Sequence, residues 1–316
     1  MNNPFPFSDS NKRYYTFDYY LRRTFGGKCA KITLDGGFTC PNRDGTRGIG
    51  GCTFCSGRGS GDFCEKASVP IADQFAVQKE MMRKKWDNAR FLAYFQAYTN
   101  TYASLPQLKE LYEEALRQPD VVGLNIATRA DCLTPEIVAY LRELSERTAL
   151  TIELGLQTIH DQTAKRVNRG HSWQEFLDGY EMLSGLDVCV HIINGLPGES
   201  AEMMLDTAKA VAGLHPKFLK IHLLHVLEGT VLASQYLKGE FSELSLADYV
   251  RIVCDQLEIL PPETVLGRVT GDGPADSLIA PLWSKKKLVV MNEIDKELVR
   301  RGSYQGIWYN CTKNKT

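Results

Sequence analysis

Residues 121–158, "VVGLNIATRADCLTPEIVAYLRELSERTALTIELGLQT", contain a complete strand–helix–strand pattern. The first segment, 121–128, is apolar at nearly every position, as a strand buried on both faces of a sheet requires. Residues 134–147 carry apolar side chains at three- and four-residue steps, and Thr134 before Pro135 marks a helix start. A second β-rich run follows at 150–158, so the segment predicts two parallel strands joined by a helix.

The same alternation extends in both directions along the chain. Further strands are predicted at 28–35, 90–98, 187–195 and 218–227. Helices are predicted at 71–86, 105–118, 172–185, 201–214 and 244–260, with Ser172 and Glu175 forming a capping box. Six βα units require a parallel sheet covered by helices, either a partial barrel or an open sheet. In both architectures the functional surface lies at the carboxyl ends of the strands.

Composition narrows the class of protein. The chain has 316 residues, enough for one extended domain or two small ones, and a net charge of −1. Any nucleic-acid partner must therefore be held by a local basic patch. No apolar run is long enough for a membrane span and the amino terminus lacks the apolar core of a signal peptide, so we expect a cytoplasmic protein without membrane attachment.

Three cysteines lie on one glycine-rich segment, "LDGGFTCPNRDGTRGIGGCTFC", residues 34–55. Cys40 is followed after eleven residues by Cys52, and Cys55 follows after two more. The segment comes directly after the first predicted strand, at the functional edge of the sheet. A structural zinc site and an electron-transfer [4Fe–4S] cluster both use four protein ligands. Three thiols therefore favour a [4Fe–4S] cluster with one iron open to another ligand.

A four-cysteine zinc site is the alternative. Cys64 lies nine residues after Cys55 and could supply the fourth thiol, which would make the protein a non-catalytic zinc-binding RNA adaptor. Cysteines in strand or helix patterns are predicted to be small buried side chains; these are Cys29, Cys132, Cys189 and Cys254. Cys64 and Cys311 are predicted to be incidental.

The cysteine segment resembles that of radical S-adenosylmethionine (radical SAM) enzymes. Its eleven-then-two spacing resembles the YtqA/YhcC (MnmL-like) group, which is related to the radical domain of the Elongator catalytic subunit. Further matching motifs are "YFQAYTNTYA", "ATRADCL", "ELGLQTIHDQTAKRVNRGH", "HIINGLPGE", "LLHVLEGT" and "RVTGD". The resemblance covers roughly residues 10–310. It implies an α/β fold, a partial (β/α)6 TIM-type radical SAM barrel at 28–262, with an N-terminal arm at 1–27 and a C-terminal extension at 263–316.

The resemblance also implies two cofactors. A [4Fe–4S] cluster would be held by Cys40, Cys52 and Cys55, and its open iron would bind S-adenosyl-L-methionine and generate a 5′-deoxyadenosyl radical. Polar and glycine residues at successive strand ends are the predicted cofactor contacts. These are Phe54, Thr99, Asn100, Arg129, Glu153, Gln157, Asn168, Arg169, Asn194, Gly195 and Gly198. The histidines on the last strands are predicted to be interior residues rather than catalysts; these are His191, His222 and His225.

The implied substrate is tRNA. By resemblance, the enzyme converts the wobble uridine from its 5-carboxymethylaminomethyl to its 5-aminomethyl form, a step of 5-methylaminomethyl-2-thiouridine synthesis, with flavodoxin or ferredoxin as electron donor. A small metabolite or a peptide is the alternative substrate. Residues 11–28, "NKRYYTFDYYLRRTFGGK", interleave basic and aromatic side chains. Such a segment can hold the splayed bases of an anticodon loop or anchor the arm to the barrel, and both interpretations stay open.

Overall fold

The computed structural model describes residues 3–59, 64–271 and 273–309. Seven parallel strands form one curled sheet, in chain order Cys29–Leu34 (β1), Arg90–Phe95 (β2), Val121–Thr128 (β3), Ala149–Gln157 (β4), Asp187–Asn194 (β5), Phe218–Leu223 (β6) and, after a short strand, Val265–Arg268 (β8). The spatial order follows the chain, β1-β2-β3-β4-β5-β6-β8. Val226–Leu227 (β7) and Leu278–Ala280 (β9) form a separate antiparallel pair. The sheet is a half-barrel, which confirms the predicted partial barrel.

Among the described residues, six helices match the six predicted ones, and four further helices were not predicted. In order they are Phe17–Phe25 (α1), Ile71–Arg83 (α2), Leu105–Leu116 (α3), Pro135–Ser145 (α4), Asp161–Arg166 (α5), Trp173–Met182 (α6), Ala201–Leu214 (α7), Val231–Leu237 (α8), Leu246–Ile259 (α9) and Lys287–Arg300 (α10). The helices that were not predicted are α1, α5, α8 and α10. The predicted capping box of Ser172 and Glu175 is present at the start of α6. Within the described ranges, no helix is both long and apolar enough to cross a bilayer.

Alternate residues of each strand face opposite sides of the sheet. On the outer side, apolar residues such as Ile32, Phe91 and Ile126 are completely buried beneath the helices and form one large core. On the inner side, several positions are polar or charged, including Lys31 and Glu153. The half-barrel therefore has an apolar outer shell and a polar interior.

A seventh strand, β8, completes the sheet beyond the six strands predicted from the sequence. It pairs with β6 in parallel, and the N–H of Val265 donates to the carbonyl oxygen of Lys217 at 3.0 Å. With only four residues, β8 is too short for its pattern to be read in the sequence. The predicted boundary between the core and the C-terminal extension, at residues 262 and 263, stays a prediction. β8 lies after this boundary in the chain but belongs to the same sheet as the core strands.

The N-terminal arm closes the amino end of the half-barrel, opposite the predicted functional edge. Rings of Phe17 and Tyr20 pack edge-on against Phe218, the first residue of β6. The N–H of Leu266 in β8 donates to the carbonyl oxygen of Tyr15 at 2.7 Å. These contacts favour the anchoring interpretation of the aromatic residues.

Several basic side chains of the arm also contact other parts of the chain. Arg22 forms ion pairs with Asp9 and Asp18, at 2.7 and 2.9 Å. Arg13 is buried and donates to the carbonyl oxygen of Ser303 at 3.1 Å. An RNA surface on this segment would have to compete with these contacts, so the structure does not favour one here.

We expect Gly179→Ala to destabilise the fold. Gly179 is buried in α6, and a Cβ atom there would overlap the carbonyl oxygen of Ala130 in the turn after β3. Overpacking of this kind costs about 1–3 kcal/mol, more than the helix propensity that alanine gains. A thermal melt followed by circular dichroism should show a lower midpoint.

Gly213→Ala in α7 is the matched control. No heavy atom lies within 4 Å of a Cβ built there, so the free energy of unfolding should rise by up to about 1 kcal/mol. Equal effects of the two substitutions on the melting midpoint would contradict the close packing of α6.

Candidate active site

A cavity of about 340 Å³ opens at the carboxyl ends of the strands, and the three clustered cysteines all line it. Cys52 is buried, whereas Cys40 and Cys55 are partly exposed. All three are free thiols. The donors of the glycine-rich segment therefore converge on one space, as a shared metal cluster requires.

The cysteine loop folds through tight turns rather than regular structure. The N–H groups of Arg43 and Asp44 donate to the carbonyl oxygen of Cys40 at 2.8 and 3.2 Å, and the N–H of Cys55 donates to that of Cys52 at 3.0 Å. Gly51 has a φ of 80°, and a Cβ atom there would come within 2.8 Å of the Arg43 side chain. Glycine is needed at this position because the backbone is left-handed and the neighbouring side chain is close.

A second loop, between α5 and α6, fixes the cysteine loop in place. The Asn42 amide donates to the carbonyl oxygen of Asn168, and the Asn168 amide donates back to that of Gly51 at 2.8 Å. The N–H of Thr53 donates to the carbonyl oxygen of Val167 at 2.9 Å. The Asn168 side chain thus holds the cysteine loop, whereas the sequence predicted that it binds cofactor. The partner role of Asn42 was not predicted.

Positive charge surrounds the thiols. The hydrogen bond from Cys55, together with the guanidinium groups of Arg169 and Arg129, lowers the pKa of Cys52 to about 6. The same hydrogen bond and burial raise the pKa of Cys55 well above its usual value. Metals bind the thiolate form, so the basic side chains favour metal binding at this loop.

Oγ1 of Thr99 and Nε of Arg169 are buried polar atoms at the cavity that lack hydrogen-bond partners among the described residues, and the same holds for Nε2 of His222. A buried polar group without a partner is costly, so its presence beside a cavity indicates a polar ligand. The carboxylate and amino groups of S-adenosylmethionine suit a guanidinium and a hydroxyl. The thiols and the atoms of Thr99 and Arg169 therefore fit the predicted pair of cofactors.

Six of the predicted cofactor residues line the cavity, namely Phe54, Thr99, Arg129, Glu153, Gln157 and Arg169. The Nε and Nη2 atoms of Arg129 both donate to the Asp131 carboxylate at 2.8 Å, so this edge of the guanidinium group is not available for a bidentate contact with a ligand carboxylate. Its remaining nitrogen, Nη1, donates to the carbonyl oxygen of Arg169 at 2.8 Å. Arg129 therefore positions the backbone of Arg169.

The other five are not among the residues that line the cavity; they are Asn100, Asn168, Asn194, Gly195 and Gly198. The amide of Asn194 exchanges two hydrogen bonds of 2.9 Å with the buried Gln256 of α9, on the outer side of the sheet. The amide of Asn100 donates to the carbonyl oxygen of Ala127 at 2.8 Å. These contacts give both asparagines structural roles, and their contact with cofactor stays a prediction without support from the geometry.

Glu153 lies in the interior of the half-barrel and is saturated with hydrogen bonds. Its Oε1 accepts from Lys31 Nζ at 2.6 Å and from Asn125 Nδ2 at 3.0 Å. Its Oε2 accepts from His191 Nε2 at 2.9 Å and from Lys220 Nζ. The sequence predicted that Glu153 contacts the cofactor, but in the structure its carboxylate accepts from four protein donors. Lys31 and Lys220 were not recognised from the sequence.

Burial and charge set the protonation states around Glu153. Burial would raise the pKa of Glu153, but the ammonium groups of Lys220 and Lys31 hold it well below its usual value. Burial lowers the pKa of Lys220 to about 8 and that of His191 to about 4. Near neutral pH the carboxylate and Lys220 are charged, while His191 is neutral. Metal binding by Glu153, Cys189 and His191, whose ligand atoms lie within 4.8 Å, would compete with these ammonium groups.

Cys64 does not join the three clustered thiols. Its Sγ contacts the carbonyl oxygen of Gln96 at 3.6 Å and the Gln96 amide at 3.6 Å, and it is not among the residues that line the cavity. The geometry therefore does not support a four-cysteine zinc site.

The three histidines that were predicted to be interior residues, His191, His222 and His225, all line the cavity.

Comparison with known proteins gives matches over most of the chain. The family model of the Radical SAM superfamily matches residues 40–211, and that of the Radical_SAM C-terminal domain matches residues 216–300. Uncharacterized protein YtqA of Bacillus subtilis (strain 168) is 53% identical over 311 residues, which cover 98% of this chain and 97% of that protein.

The more distant matches include proteins that are named as tRNA-modifying enzymes. The tRNA uridine(34) acetyltransferase of Methanocaldococcus infernus is 29% identical over 181 residues, 56% of this chain and 33% of that protein. The solved structure of Methanocaldococcus infernus Elp3 with an N-terminal deletion has a TM-score of 0.67 at 20% identity, covering 90% of this chain and 68% of that one. This structural similarity shows a shared fold.

We expect Cys40→Ser, Cys52→Ser and Cys55→Ser each to abolish cluster binding, because two thiolates cannot hold a cluster that needs three. Anaerobic reconstitution followed by iron and sulfide analysis should give about four irons per chain for the natural protein and almost none for these variants. Cys64→Ser is the control and should retain full iron content, because its thiol contacts Gln96 instead. Loss of iron in Cys64→Ser alone would contradict the three-thiol site.

We expect stability to fall as the pH decreases from 6.5 to 4, in part through His191. Its pKa is about 4 in the folded protein and 6.5 as the usual value, so below pH 6.5 the unfolded chain binds a proton that the folded chain excludes. At pH 5 this contribution is on the order of 1–2 kcal/mol. His191→Asn keeps an amide donor for Glu153 but cannot titrate, so melting midpoints measured from pH 7 to pH 4.5 should decline less steeply.

Lys238→Met is the control for this pH series. Lys238 is exposed directly after α8, so the variant should keep the slope of the natural protein. An unchanged slope in His191→Asn would contradict the neutral state of His191.

Proposed function

Because the chain belongs to the radical SAM superfamily, whose enzymes use a [4Fe–4S] cluster and S-adenosylmethionine, we propose that it is an enzyme that modifies the wobble uridine of tRNA. The observation that carries the radical chemistry is the convergence of Cys40, Cys52 and Cys55 on one cavity. When bound, the two cofactors supply a 5′-deoxyadenosyl radical that removes a hydrogen atom from carbon. The zinc-binding adaptor alternative does not hold for a member of this enzyme family.

In this proposal the residues of the cavity have different roles. Cys40, Cys52 and Cys55 hold the cluster, and Arg169 and Thr99 offer their unpartnered polar atoms to the methionyl group. Phe54 and Gln157 contribute an apolar cover and a polar side chain at the same space. The half-barrel walls and the arm beneath limit access of water, which a reactive radical requires.

The proposed substrate rests on the related tRNA uridine(34) acetyltransferase, of which this chain spans about a third. The step would convert a 5-carboxymethylaminomethyl group to a 5-aminomethyl group. The methylene between nitrogen and carboxylate would lose a hydrogen atom to the 5′-deoxyadenosyl radical. The carbon radical would then pass one electron to the oxidised electron carrier and a proton from nitrogen to water, which leaves an imine. Water cleaves the imine to the free amine and glyoxylate. Flavodoxin or ferredoxin is the proposed external electron carrier.

The carboxyl edge of the half-barrel is the proposed entrance for the base. A stacked anticodon loop cannot reach the cavity, so the wobble base must be turned out of its stack to enter, as in other enzymes that act on a base. Arg47 on the cysteine loop is 44% accessible in its side chain and pairs with Glu175 at 2.7 Å, so a contact between Arg47 and a tRNA phosphate would have to replace this ion pair.

The test is anaerobic turnover with reduced flavodoxin, S-adenosylmethionine and tRNA that carries 5-carboxymethylaminomethyluridine. We expect mass spectrometry of the digested nucleosides to show loss of the carboxymethyl group, with glyoxylate and 5′-deoxyadenosine formed. The Cys52→Ser variant should give neither product. If reduced enzyme with a full cluster leaves the nucleoside unchanged, the tRNA proposal fails, and a small metabolite or a peptide becomes the better substrate class.

A further inference from the structure

The interior of the half-barrel carries a row of basic and imidazole side chains on neighbouring strands. In the register of the sheet, His191 of β5 lies opposite Lys220 of β6, and Lys220 lies opposite Arg268 of β8. All three line the same cavity as the cysteines. The row therefore belongs to the site but not to the group that holds the cluster.

The carboxylate of Glu153 on β4 is shared between two ammonium groups, that of Lys220 in this row and that of Lys31 on β1. Glu153 Oε1 accepts from Lys31 Nζ at 2.6 Å, and Oε2 accepts from Lys220 Nζ. His191 adds no charge near neutral pH, because burial keeps it neutral. The two lysines and Glu153 together thus retain one positive charge. Arg268 lies near enough to affect the pKa of Lys220 and brings a further positive charge to the cavity.

Aromatic rings compensate part of this charge. Lys31 Nζ lies 5.0 Å from the centre of the Phe17 ring and 4.5 Å from that of Tyr94. Lys220 Nζ lies 4.8 Å from the centre of the Tyr94 ring and 3.4 Å from its hydroxyl oxygen. Cation–π contacts are weaker than an ion pair, so the positive charge is stabilised without being neutralised.

The position of Lys220 indicates that this residue, rather than Lys31, contacts a ligand in the cavity. The residue is only 7% exposed, yet it lines the cavity, whereas Lys31 is not among the lining residues. Among the described residues, the hydrogen-bond partners of its ammonium group are Glu153 and the Tyr94 hydroxyl, and an ammonium group has three donors. One donor is therefore available to an anion. A purely structural ion pair would need only one lysine for one carboxylate.

We propose that Lys220 binds a carboxylate of the substrate at the interior end of the cavity, and that Glu153 and Tyr94 position it. This inference rests on the proposed function and deepens it, because the 5-carboxymethylaminomethyl group has a carboxylate next to the methylene that reacts. Binding of this carboxylate by Lys220 would orient that methylene. The pocket would then select uridines with a carboxylate over those without one.

The test compares binding of two tRNAs to anaerobic holoenzyme with S-adenosylmethionine and without reductant, so that no turnover occurs. One tRNA carries 5-carboxymethylaminomethyluridine, and the other carries the carboxamide analogue, which has the same shape and no negative charge. We expect the natural protein to bind the first about ten- to hundredfold more tightly, the range of a charge-assisted hydrogen bond. Lys220→Met should lose this difference and keep its affinity for the carboxamide.

Lys217→Met is the matched control, because Lys217 is exposed directly before the start of the same strand, outside the cavity, and it should keep the full difference. If Lys220→Met folds poorly in a thermal melt, Glu153→Gln combined with Lys220→Met removes the unpaired carboxylate and should lose the difference as well. Discrimination that persists in a folded Lys220 variant overturns the inference, as does its absence from the natural protein.

Turnover of the carboxylate tRNA separates this failure from that of the proposed function. If the natural enzyme converts the tRNA yet binds both forms equally, only the role of Lys220 is overturned. If it neither discriminates nor converts, both proposals are overturned.

Discussion

The candidate active site depends on hydrogen bonds between two loops that are 126 residues apart at Asn42 and Asn168. A loop that holds three thiols has little regular structure, so its backbone groups need partners from elsewhere in the fold. The loop between α5 and α6 supplies them through Asn168 and through the carbonyl oxygen of Val167. Gly170 has a φ of 78° and lacks the Cβ atom that would clash with Asn42, which lets the two loops approach. Arg169 lies between Asn168 and Gly170, so these contacts also hold it at the cavity.

Beneath this loop the interior of the half-barrel is layered. Apolar residues and the arm fill the amino end, the Glu153 network occupies the middle, and the cavity lies at the carboxyl edge. Buried ion pairs contribute little net stability, because desolvation offsets most of their attraction. The charged middle layer is therefore better explained by ligand binding than by folding. It also separates the cavity from the apolar floor by a rigid set of hydrogen bonds.

Local sequence patterns predicted the repeating parts of the fold well. The six predicted strands and helices are present because their periodicity extends over many residues, and the family resemblance of the cysteine spacing is confirmed. The four-residue β8 gave too short a pattern, and it exists because β6 offers an unpaired edge. Asn194 shows the limit for single residues: its place at a strand end was correct, but Gln256, which decides its orientation, lies 62 residues away. The sharing of Glu153 by Lys31 and Lys220 likewise depends on contacts across three strands.

The arm has a consequence for the order in which the molecule forms. The arm is synthesised before the segments that hold it, because Arg13 donates to Ser303, 290 residues later, and Tyr15 pairs with Leu266 in β8. Domains fold as units, so the arm has no complete docking site until residues 266 and 303 have emerged from the ribosome. The half-barrel is thus sealed only after these segments have formed, and until then the amino end of its interior stays accessible to solvent.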